Sequence, residues 1–92
     1  MTDEHLALLL TAAESKKEKD GWHRAPEGRP MTLYAAAGGA LLTVGRVEAL
    51  RVDKGLVLAR TTKGETYVLA LGDLFAGAVD AQTATQRKAG FV

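Results

Sequence analysis

Residues 50–71, Leu50-Arg51-Val52-Asp53-Lys54-Gly55-Leu56-Val57-Leu58-Ala59-Arg60-Thr61-Thr62-Lys63-Gly64-Glu65-Thr66-Tyr67-Val68-Leu69-Ala70-Leu71, decide the fold. Two Lys-Gly turns, in Asp53-Lys54-Gly55 and Thr62-Lys63-Gly64, separate three runs rich in Val, Leu, Thr and Tyr. Glycine-bearing turns between such runs are hairpin signals. The spacing predicts an antiparallel meander with strands over 40–52, 56–61 and 65–71. Lysine tolerates positive φ poorly, so both triplets are read as type I turns closing on a glycine bulge.

That turn type sets Val52 opposite Leu56, Leu50 opposite Leu58 and Glu48 opposite Arg60, with Leu58 opposite Val68 and Leu56 opposite Ala70. Leu50, Val52, Leu56, Leu58, Val68 and Ala70 then form the expected core face. The reverse face carries Val47, Ala49, Val57, Ala59, Tyr67, Leu69 and Leu71, with Arg51, Thr61 and Glu65 as its polar members. A sheet wetted on one side alternates cleanly between apolar and polar residues. This one does not, so the second face is expected to be covered by a helix, by curling into a barrel, or by a second copy of the chain.

Working outward, Gly45 within the long strand marks a bulge or corner. Gly38-Gly39 joins it to a strand from Met31 to Ala36, and His23 to Pro30, with Pro26, Gly28 and Pro30, reads as a loop. Upstream, Leu6, Leu9, Leu10 and Ala13 follow helical spacing. Thr2 or Asp3 caps the start, Gly21 is the expected left-handed terminator, and Trp22 packs back on the last turn, giving a helix from Asp3 to Asp20. Downstream, Asp73 reads as the cap of a short helix over 73–80 carrying Leu74, Phe75 and Ala78, and a polar tail occupies 82–92. The expected fold is a single α+β domain spanning 1–92, mainly β: an N-terminal helix, a four- to five-stranded antiparallel meander or small barrel over 31–71, and a short helix.

The stretch Leu56-Val57-Leu58-Ala59-Arg60-Thr61-Thr62-Lys63-Gly64-Glu65-Thr66-Tyr67-Val68-Leu69-Ala70-Leu71-Gly72-Asp73-Leu74 resembles the closing hairpin of Sm-like small β-barrels, which can end in an apolar strand and an Asp-led turn. The resemblance covers about a fifth of the chain. It implies a barrel architecture of a kind that binds RNA or protein, often as an oligomer. It transfers no RNA-binding residue to this sequence.

Composition narrows the function classes. The 92 residues hold 47% hydrophobic and 25% charged residues, within the range of one ordinary globular domain. There is no cysteine, which removes disulfides and thiolate metal sites. The longest early apolar run, Leu6–Leu10, is far short of a membrane span, and the acidic Met1-Thr2-Asp3-Glu4 start is unlike a secretory leader. A cytoplasmic location without a membrane partner is expected. Residues 21–63 hold seven Lys or Arg against three acids, whereas residues 1–20 hold three against five. A basic middle favours anionic partners, though mixed charges also simply solvate a surface.

Chemistry-bearing residues are sparse. His5 and His23 lack converging partners, and Glu4-His5 are neighbours whose side chains diverge on a helix, so no metal site is expected. Ser15, the sole serine, lies among charges. No glycine pattern matches a phosphate loop or dinucleotide fingerprint. Neither a catalytic set nor a cofactor is expected. Trp22-His23-Arg24 is the most site-like cluster, able to stack a base or hold an anion, or simply to pack a helix end. These readings predict a non-enzymatic protein-interaction or regulatory module that associates with itself or another protein, with Val57, Tyr67, Leu69, Leu71 and Trp22 as the partner surface. The alternative is a nucleic-acid-binding small barrel using Arg24, Arg51, Arg60 and Lys63.

Overall fold

The computed structural model describes residues 1–80; the polar tail over 82–92 lies outside them. The fold is α+β and mainly β: an N-terminal helix followed by a curled antiparallel sheet, a half-barrel.

Helix α1 spans Asp3–Ala12, not Asp3–Asp20. The Thr2 side chain accepts from the His5 N–H at its start. At its end Glu14 adopts φ +57°; its N–H donates to the Thr11 carbonyl, and that of Ser15 to the Leu10 carbonyl. This double bond pattern is a Schellman cap, here built on glutamate in the place glycine usually takes. Lys16–Lys17, expected in the helix, form strand β1, and His23–Arg24, expected in a loop, form β2. The two pair antiparallel, and Gly21, with φ +91°, serves their turn rather than the helix end.

Strands β3 (Met31–Ala37) and β4 (Ala40–Asp53) join through Gly38-Gly39, both at positive φ. The 14-residue β4 organises the molecule. Its first part pairs with β3; its second pairs with β2 on one edge and with β5 (Leu56–Thr61) on the other. β6 (Thr66–Ala70) adds to β5. Gly45-Arg46 oppose the single residue Thr32, a bulge where the sequence places one, with Arg46 in the left-handed region. Glu48 is a second bulged residue, facing no partner between Val47↔Thr61 and Ala49↔Arg60. Bulges bend and twist the strand that carries them, so β4 contributes to both walls of the half-barrel.

The first Lys-Gly turn departs from expectation. Lys54 (φ +50°) and Gly55 (φ +81°) are the two central residues of a tight turn, which sets Asp53 opposite Leu56, Val52 opposite Val57 and Leu50 opposite Ala59. A slip of one residue exchanges the faces of a strand. The inner face of β5 and β6 is therefore Val57, Ala59, Tyr67 and Leu69, and the expected core residues Leu56 and Val68 are exposed outside. The Glu48 bulge further brings Val47 and Leu50 to the same inner side. The second turn keeps its expected register, Leu58↔Val68 and Leu56↔Ala70, with Gly64 at φ +91°.

Among the described residues no α-helix follows β6. One 3-10 turn, Leu71–Asp73, leads into strand β7 (Leu74–Val79), which pairs with β3 from Met31↔Val79 to Ala35↔Leu74. The ladder offered by β3 outweighs the capping tendency of Asp73, since an edge left without it exposes a row of backbone donors and acceptors. Phe75 is bulged out of this ladder.

The core gathers Met31, Leu33, Val44, Val47, Leu50, Val57 and Leu74, all fully buried, with Leu6, Leu9 and Leu10 of α1 laid over them. Each such side chain contributes roughly 1.5–3 kcal/mol on burial. Helix and sheet meet closely at Gly77, where an added Cβ would stand 2.6 Å from Leu9 Cδ2. The excess of apolar residues on the second face of the meander is thus absorbed by curling and by α1.

Candidate functional site

Two surfaces carry unusual residue types, one on the outside of the curled sheet and one along its edges.

On the outer face, antiparallel register aligns Lys16, Arg24, Ala49, Arg60 and Thr66 in one row across five strands. Directly opposed residues of a sheet share a face, so Lys16, Arg24 and Arg60 project from the same side. Ala49, wholly buried, spaces the two arginines. Arg51 lies two residues along β4 from Ala49 and is exposed. Trp22 is buried to 9% exposure but lies apart from the central cluster; the Arg60 guanidinium carbon sits 4.5 Å from its ring centroid. Such a cation–π contact is worth about 0.5–2 kcal/mol, depending on desolvation. Trp22 therefore packs under Arg60 and not on the helix end. Arg24 pairs with Glu18 at 3.1 Å, and that hydrogen bond, followed by the Glu18 charge, raises its already high pKa. The expected Glu48–Arg60 partnership is not formed in the ladder, because Ala49 faces Arg60.

Of the residues expected to meet nucleic acid, the structure brings Arg24, Arg51 and Arg60 together. Lys63 stands apart in the β5–β6 turn, where the Thr61 hydroxyl accepts from the Lys63 and Glu65 amides. Lys16 joins the group, and sequence reasoning missed it by placing it on a helix.

Of the residues expected to form a partner surface, Val57 lies in the core, and Tyr67, Leu69 and Leu71 are half-buried against it. Among the described residues the exposed large apolar ones are instead Leu8, Leu41, Leu42, Val52, Leu56, Val68 and Phe75. Leu41 and Leu42 share a cleft with Val68, Leu69 and Ala70. Among the described residues β6 pairs with β5 alone. Its Thr66-Tyr67-Val68-Leu69-Ala70 edge contains neither charge nor proline nor bulge. The signal for this surface was present in the sequence, but the one-residue register error hid which side of β6 faces out.

The remaining polar groups are engaged locally. The Ser15 hydroxyl donates to the Leu10 carbonyl at the helix cap. His23 faces inward beside Leu10 and Thr11, and partial burial, then the Lys17 charge, lowers its pKa below the usual imidazole value. Among the described residues no three His, Cys, Asp or Glu converge as metal ligands, and no helix is long and apolar enough to cross a membrane. No family model, curated protein or solved structure matches the chain.

Proposed function

We propose that the chain is a non-enzymatic protein-interaction or regulatory module that self-associates along the β6 edge. The observation that carries this reading is the bare, uncharged edge of Thr66–Ala70 beside exposed Leu41, Leu42 and Val68. Edge strands are ordinarily blunted by charges, proline, bulges or short length, because an open edge is a template for another strand. β6 keeps only the last of these. With no charge on the strand, two copies can align antiparallel about Val68 without like-charge contacts. Each backbone group paired this way exchanges a water partner for a protein one, and the flanking leucines supply the apolar area.

Sedimentation velocity over the micromolar range tests it. The wild type is expected to sediment as a dimer or larger species, and Val68→Lys, a change at an exposed position, as a folded monomer. A wild-type monomer at high micromolar concentration overturns the reading.

A further inference from the structure

The outer face of the sheet carries an arrangement that self-association leaves unused. The geometry points to a binding site for single-stranded nucleic acid, in which Lys16, Arg24, Arg51 and Arg60 hold the phosphate backbone and the guanidinium plane of Arg60, backed by Trp22, receives a base.

Three features support this. The first is alignment. Neighbouring strands lie about 4.8 Å apart, so the row Lys16–Arg24–Ala49–Arg60 strings three cations across roughly 15 Å of one face, and Arg51 stands beside it. A linear polyanion can follow such a track. The second is pre-organisation. Arg60 is held against Trp22 at 4.5 Å, which fixes the guanidinium as a flat platform before any ligand arrives. Unstacked bases are received on arginine planes as well as on aromatic rings. The third is the neighbouring row. Arg51 faces Leu58 across the β4–β5 ladder, so apolar surface suited to a base face lies next to the cations. An oligoglutamate supplies the charge but no aromatic face for either the platform or that apolar row. In a duplex the base faces are stacked on one another, so neither the platform nor the apolar row finds a free one to receive.

The acids nearby set the strength. Glu18 already neutralises Arg24 in part, the Asp20 carboxylate accepts from the Trp22 N–H, and Glu48 acts on Arg24 as well. The net attraction comes from about three phosphate contacts, consistent with modest, salt-sensitive affinity. On single strands three contacts give a slope of about −2 in log affinity against log salt, or a loss of about 20-fold between roughly 50 and 200 mM.

The test uses the full chain and a fluorescein-labelled thymidine dodecamer, read by anisotropy together with the emission of Trp22, the sole tryptophan. Binding is expected at low salt with a change in Trp22 emission and the salt loss given above. Lys16→Glu, on an exposed side chain, is expected to weaken it about tenfold, in keeping with a phosphate contact replaced by a repulsive one. Arg60→Gln is expected to abolish the emission response. Flat anisotropy at high micromolar protein, binding that leaves Trp22 emission unchanged, binding indifferent to Lys16→Glu, or equal binding of an oligoglutamate or a duplex overturns the assignment. A monomeric chain that still binds the dodecamer separates this site from the β6 edge.

Discussion

Among the described residues, three without glycine's freedom occupy the left-handed region: Glu14, Arg46 and Lys54. Glu14 terminates α1 at φ +57°, and its contact with Arg29, at 3.7 Å with the glutamate side chain largely exposed, contributes little in return. Glu14→Gly is therefore expected to stabilise the fold by about 1 kcal/mol, visible as a higher urea midpoint at unchanged slope. Lys54 sits first in a tight turn that prefers Asn-Gly, and Lys54→Asn is expected to raise the same midpoint by about 0.5–1 kcal/mol. Gly77 gives the opposite result. A Cβ there meets the Leu9 methyl groups, the end of a flexible side chain that also lines an open surface cleft, so Gly77→Ala is expected to cost about 1 kcal/mol as Leu9 shifts to make room. These same positions show what residue preferences hide. At Lys54 the preference of lysine against positive φ pointed to a longer turn, and at Glu14 nothing in the residue type announced a helix end, while Gly21 offered a false one.

Among the elements, the β3–β4 hairpin, the Gly45-Arg46 bulge and the β5–β6 hairpin were legible because glycine and β-branched runs mark them directly. The rest depended on partners distant in sequence. Leu74–Val79 has no period of its own and becomes a strand because β3 offers it a ladder. Lys16–Lys17 and His23–Arg24 are two-residue strands, held by each other and by β4, and carry too few residues to show alternation. The basic row was illegible for the same reason: its members become neighbours only through cross-strand register. The β1–β2 pair also brings a pH response. His23 has a pKa below that of an unfolded imidazole, through partial burial first and Lys17 second. The unfolded chain then binds the proton more readily, so stability is full above a pH of about 6.5 and falls as the pH drops toward the folded value. His23→Gln is expected to flatten the dependence of the urea midpoint on pH in that window, and an unchanged dependence would assign it to other groups.

At the scale of the whole molecule, the half-barrel has an inside partly covered by α1 and an outside divided between an oily edge and a basic face. Leu41 and Leu42 sit near the tip of the β3–β4 hairpin, exposed and outside the core cluster. Leu41→Ser with Leu42→Ser is expected to leave the thermal midpoint within a few degrees while shifting sedimentation toward the monomer, since substitutions at exposed positions rarely move stability by more than about 0.5 kcal/mol. A large fall in the midpoint would instead make these leucines structural.

The dependence of both walls on β4 has a mechanical consequence. Its central residues touch β2, β3 and β5 together, so neither wall can peel away while that strand stays in place. Amide protons at Val47 and Leu50 should accordingly be the last to exchange with heavy water, at a rate set by complete unfolding. A protease nick at the exposed Gly38-Gly39 tip should leave the two fragments clasped in solution, whereas a cut inside β4 should release both halves as loose chain.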